Sequence, residues 1–124
     1  MNWSQTGAIL LALSVILGAF GAHGLRDRLD AYSMDVYQKA VFYQFIHSLG
    51  ILIVGILPKT GTFPLSSAGT VCTFLLAGIV IFSGSLYLLA VTGNRMLGAI
   101  TPIGGVCFIV GWVLLAWYLR RITL

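Results

Sequence analysis

The stretch SAGTVCTFLLAGIVIFSGSLYLLAV, residues 67–91, contains no Asp, Glu, Lys or Arg. An α-helix rises about 1.5 Å per residue, so about 20 apolar residues cross about 30 Å of hydrocarbon. The stretch is long enough to be a membrane span. The charge-free run around it extends over residues 60–94, and residues 3–25, 40–58 and 96–119 are equally free of charge. Four spans, at about 3–22, 36–57, 67–91 and 98–119, fill nearly all of the 124 residues as one transmembrane domain. The chain is 59% hydrophobic and 8% charged, against about 25% charged in a soluble domain. Short connections make successive spans antiparallel. The expected fold is an all-α membrane protein, a four-helix transmembrane bundle running up-down-up-down.

The connections carry the charge. RDRLDAYSMD, residues 26–35, holds five of the ten charged residues. Leu25, Leu29, Tyr32 and Val36 recur there at helical spacing, which predicts a short amphipathic helix on the membrane surface between spans one and two. Ser33 is the expected N-cap of span two, with Asp35 in its first turn. Pro58 ends span two, and Gly93-Asn94 marks a tight break. Thr101-Pro102 reads as an N-cap followed by proline at the first helical position, in preference to a kink. Trp3 at one end, and Trp117, Tyr118, Arg120 and Arg121 at the other, are interfacial anchors. An amino-terminal region without Lys or Arg, before a long apolar run, favours a retained span over a cleaved signal peptide.

Arg26, Arg28, Lys39 and Arg95 fall on one side of the membrane and Lys59, Arg120 and Arg121 on the other. That distribution leans toward both termini outside the cytoplasm. The net charge is +4, but the basic residues form no stripe, so nucleic acid is not an expected partner. Membrane lipids are, together with a second copy of the chain or another membrane protein. Cys72 and Cys107 start antiparallel spans at opposite faces, too far apart in depth for a disulfide.

Helices meet in lipid where small residues let backbones approach. At about 100° per residue, Gly7, Ser14, Gly18 and Gly21 line one stripe of span one. Gly69, Thr73, Ser83, Gly84 and Tyr87 do so in span three, and Gly104, Cys107, Gly111 and Tyr118 in span four. All are expected to face protein. Span two is different: Tyr37, Gln44 and Ser48 share a line, with Tyr43 and His47 beside it, opposite an arc of Phe42, Phe45, Ile46, Leu49 and Ile53. A polar sector on a membrane helix must face the bundle interior or a wet cavity. His23, Tyr37, Tyr43, Gln44, His47 and Ser48 are therefore the ligand or polar-core candidates.

Four motifs within these segments carry a family resemblance. GAFGAHGL (18–25), AVFYQFIHSL (40–49), FSGSLYLL (82–89) and GAITPIGG (98–105) occur in an order that resembles the YgdD-like family of small four-helix membrane proteins. The resemblance spans nearly the whole chain. It implies a multi-pass protein of the bacterial plasma membrane and assigns no activity.

The function classes narrow by chemistry. The acids Asp27, Asp30 and Asp35 all lie in the first connection, and no Ser-His-Asp or zinc-ligand spacing is present, which argues against an enzyme and a metal centre. His23 and His47 differ in depth by about 10 Å, which disfavours shared haem ligation. No cofactor is expected. Quinone binding, needing one His with a Tyr or Gln, is a lesser alternative. Transport or channel activity is another, but four short helices with no intramembrane acid would need an oligomer to enclose a path. The favoured reading is a non-enzymatic bundle that binds a lipid, an apolar ligand or a membrane partner. One local expectation follows from GAFGAHGL. A helix continued through His23 would aim its ring about 160° from the Gly7 stripe. Span one is therefore expected to end or unwind at Gly21–Gly24, turning His23 toward Tyr37, Tyr43 or Gln44.

Overall fold

A computed structural model describes residues 1–122. Helix α1 is Trp3–His23, opened by a capping box. Asn2 Oδ1 accepts the Gln5 N–H at 2.9 Å, and Gln5 Oε1 accepts the Asn2 N–H at 3.0 Å. Helix α2 is Ala31–Ile56, and its cap is Asp30, whose carboxylate accepts the Ser33 N–H at 2.7 Å. Ser33 is thus inside the helix, not at its cap. By starting at Ala31, α2 absorbs residues 31–35, and the expected interfacial helix shrinks to a turn. The Arg28 and Leu29 N–H groups donate to Leu25 O at 3.0 and 3.1 Å. The apolar spacing seen in sequence seats Leu25 and Leu29 on the cluster formed by Val36, Tyr37, Ala40 and Leu89.

Pro58 stands in a 3₁₀ turn, Leu57–Thr60, that ends α2 as expected. Helix α3 is Leu65–Thr92. It contains a π-turn at Ile79–Ser83 that the sequence reading did not anticipate. Gly93, at φ +72°, closes α3 by donating its N–H to Leu89 O at 2.8 Å. A 3₁₀ turn, Arg95–Ala99, leads into helix α4, Thr101–Leu119, with Pro102 in its first turn. Thr101 does not cap α4; its Oγ1 lies 2.6 Å from Ser85 Oγ on α3. Four helical segments are long and apolar enough to cross a membrane, and among the described residues there is no strand.

Helix α2 is central. Helix α1 packs along one side of it, both halves of α3 along the other, and α4 packs on α3. One buried cluster includes Ile51, Val71, Leu75, Ile79 and Phe108; the second includes Tyr37, Ala40, Leu86 and Leu89. Without water as a driving force, van der Waals contact between closely placed backbones must hold these helices together. A Cβ on Gly7 would lie 2.5 Å from Leu52 N and 2.9 Å from Ser48 O, so α1 and α2 touch backbone to backbone. Gly104 meets the backbone of Phe82 in the π-turn, and Gly111 meets Leu75. Gly21 lies beneath the Tyr37 ring, and Gly18 stands 3.4 Å from Val41 Cγ1, measured from its ideal Cβ. Gly84 departs from expectation: no atom lies within 4 Å of its ideal Cβ, so it packs against nothing. The buried line of α3 is instead Ala68, Cys72, Leu75, Ile79, Ser83, Leu86 and Ala90. In a helix apolar all round, small residues alone do not specify the buried face.

Candidate functional site

The polar sector of α2 divides into two parts that point different ways. Tyr37 and Gln44 face the bundle. The Tyr37 hydroxyl donates to Leu17 O on α1 at 2.6 Å, a contact allowed by the absence of a side chain on Gly21. Gln44 joins three helices: its Nε2 donates to Leu10 O on α1 at 3.1 Å, and its Oε1 accepts the Tyr87 hydroxyl of α3 at 2.6 Å. A carbonyl can only accept and Tyr87 here donates, so the partners fix the amide orientation. The Tyr37 and Tyr87 rings meet edge-on, with centroids 5.4 Å apart. Ser14 Oγ also donates to Leu10 O, at 2.9 Å, and Ser83 Oγ donates to Ala40 O at 2.8 Å. This half of the sector is a closed, satisfied network that ties α1 and α3 to α2. Ser48 is fully buried, and its Oγ has no partner among the described residues. It serves as a small residue at the Gly7 crossing.

Tyr43 and His47 face the other way, toward α4. Nδ1 of His47 lies 2.7 Å from Tyr43 O, the carbonyl one turn back. A carbonyl accepts only, so Nδ1 carries the proton and Nε2 of the neutral ring is an acceptor. The imidazole stacks on Phe108 with centroids 3.5 Å apart and planes 11° from parallel. Trp112 stands 5.7 Å from it, and Phe82 4.4 Å from Tyr43. His47 is 6% exposed, but Tyr43 is 37% exposed and forms the edge of this aromatic cluster, not part of the core.

His23 does not join either group. It is exposed, it is the last residue of α1, and no hydrogen bond reaches its ring among the described residues. Helix α1 does end at Gly24, but Gly24 keeps right-handed dihedrals (φ −82°, ψ −32°), so the chain does not double back there. Two of the three groups that His23 was expected to meet are also bonded elsewhere, Tyr37 to Leu17 and Gln44 to Tyr87 and Leu10, and the third, Tyr43, faces α4.

A third feature lies on the outer side of the α1–α2 pair. A groove of about 300 Å³ runs between them, floored by Ser14, Gly18, Gly21 and Ala22 and walled by Tyr37, Val41, Phe42 and Phe45. Gly18 and Gly21 were legible as a packing stripe, but below Gly7 the helices leave space between them. Sequence reasoning did not single out Phe82, Phe108 and Trp112, which complete the aromatic cluster around His47. Gly78 and Gly50 were the available signals, because they admit the Phe108 and Trp112 rings against α3 and α2. Among the described residues no three His, Cys, Asp or Glu side chains come together.

Comparison with known proteins agrees with the membrane fold. Residues 17–105 match the family described as "Protein of unknown function (DUF423)". The chain is 50% identical over 109 residues to a UPF0382 membrane protein of Staphylococcus epidermidis, covering 88% of this chain and 87% of that one. It is 46% identical over 112 residues to the UPF0382 membrane protein YwdK of Bacillus subtilis, covering 88% of each. No solved structure matches the chain.

Proposed function

This chain belongs to the DUF423 family and is a small multi-pass membrane protein; from that premise we propose that it is a non-enzymatic bundle holding the acyl chain of a membrane lipid between α1 and α2. The observation that carries the reading is the apolar groove of about 300 Å³ on the flank of these helices. That volume is at the small end of ligand pockets, about 300–1,000 Å³. Its mouth is formed by Val15, Phe42 and Phe45, all exposed at hydrocarbon depth, so acyl chains are the molecules that surround it.

The closed network behind the groove supplies rigidity. Tyr37, held by Leu17 O, wedges over Gly21 and keeps the two helices from closing on the space. A chain in the groove gains dispersion contacts on several sides, whereas on a convex helix surface it gains them on one. Tyr37, Gln44, Ser83 and Tyr87 spend their polar groups in helix-to-helix bonds, which supports a binding role over the transport alternative. The four sequence motifs support a narrower grouping with the YgdD-like proteins, and the bacterial relatives support location in a bacterial plasma membrane.

Gly18→Leu tests the reading, because its side chain would grow into the groove past Val41. Native mass spectrometry of protein extracted in mild detergent should show one retained lipid per chain in the wild type and none in the variant. Equal retention by both would refute the proposal.

A further inference from the structure

The imidazole of His47 lies about 24 Å along α2 from its first residue and about 14 Å from its last, well inside the hydrocarbon. Its Nε2 has no partner among the described residues, yet it is not fully enclosed by protein. An acceptor left unpaired in hydrocarbon is costly, and water and lipid headgroups lie at the surfaces, not at this depth. The surroundings are aromatic by construction. Gly50 gives up its side chain to Trp112, whose Cη2 would lie 2.8 Å from a Cβ there, and Gly78 does the same for Phe108. The π-turn at Ile79–Ser83 brings Phe82 to the same place. Turns of this kind are frequent at functional sites.

We infer that His47 anchors a second binding site, between α2 and α4, for a hydroxylated aromatic ring carried on an apolar tail, the chemistry of phenols and quinols. Each part of such a ligand has a counterpart. Its hydroxyl donates to Nε2 of His47. Its ring lies against the exposed faces of Tyr43 and Trp112, each 37% exposed on either side of His47, and its tail stays in the bilayer. The site is separate from the α1–α2 groove and does not depend on it.

The test compares 4-nonylphenol with its methyl ether, 4-nonylanisole, which has the same ring and tail but no donor. Each is titrated into the protein in detergent micelles, with Trp3→Phe and Trp117→Phe leaving Trp112 as the fluorescent reporter. The phenol should bind about tenfold more tightly than the ether, the worth of one buried hydrogen bond. His47→Phe keeps a ring on Phe108 and should reduce the phenol to the level of the ether. The ¹⁵N resonance of Nε2 in otherwise unaltered protein should also move with the phenol and stay fixed with the ether, a readout independent of the variant's folding. Equal binding of the two probes, an unmoved Nε2 resonance, or a dimer that seals His47 against a second copy would each overturn the inference.

Discussion

Replacing Gln44 with Leu removes the residue that bonds α1 and α3 at once. Two hydrogen bonds are lost, to Leu10 O and from the Tyr87 hydroxyl. The two losses are unequal. Leu10 O keeps the Ser14 hydroxyl at 2.9 Å, whereas the Tyr87 hydroxyl is left with no acceptor. Side-chain hydrogen bonds between membrane helices average about 0.6 kcal/mol, and an orphaned buried donor costs about 1–3 kcal/mol. Gln44→Leu should therefore destabilise the bundle by about 2 kcal/mol. Tyr87→Phe leaves Gln44 Oε1 unpaired and should cost about 1–2 kcal/mol. In the double variant neither orphan exists, so its cost should fall short of the sum by about 1 kcal/mol. Reversible unfolding in mixed micelles of dodecyl sulfate and a mild detergent measures all three. Additivity within about 0.3 kcal/mol would refute the bridge between α2 and α3.

Other consequences follow from single residues. Gly104→Ala places a methyl 2.8 Å from Phe82 Cα and should destabilise by about 1–3 kcal/mol in the same unfolding assay. Gly84→Ala meets nothing within 4 Å and should be neutral or stabilising by up to about 1 kcal/mol. The Ser33 N–H holds the Asp30 carboxyl below its ordinary 3.8. A pKa depressed by folding means that the cap contributes fully above 3.8 and is lost as pH falls through 3.8 toward the folded value. Asp30→Asn should flatten the acid limb of stability below about pH 5, and an unchanged limb would exclude the cap as its cause. Tags on the two termini should label from the same side of intact cells, the outside on the distribution of Arg and Lys, since four spans separate them.

The spans were legible because charge is prohibited in hydrocarbon: the gaps between Lys39, Lys59, Arg95 and Arg120 already outline the bundle. The outward arc of α2 was equally legible, and Phe42 and Ile53 are 60% and 54% exposed. The polar sector was found, but not its division. Tyr43 and Gln44 are adjacent in sequence, and about 100° of rotation sends one to the rim near α4 and the other into the core. The π-turn left no local mark, because it depends on Phe82, Phe108 and Gly104 meeting across two helices. His23 was misread for a related reason. Two of its expected partners, Tyr37 and Gln44, are bonded to other helices in the fold, and Tyr43 is turned toward α4.

The occupied groove is the central claim, and photolabelling tests it with the native chain. A phospholipid bearing a diazirine in its acyl chain is incorporated into vesicles with the protein, activated by light, and the adducts are mapped by peptide sequencing. Val15 and Phe42 at the groove are 63% and 60% exposed, and Val80 and Ile109 elsewhere on the bundle are 64% and 63% exposed. Lipid that merely surrounds the protein would label these four alike. A chain held between α1 and α2 predicts adducts concentrated at Val15, Val41 and Phe42, saturating as labelled lipid rises. Even labelling across Val15, Phe42, Val80 and Ile109, rising without saturation, would contradict it.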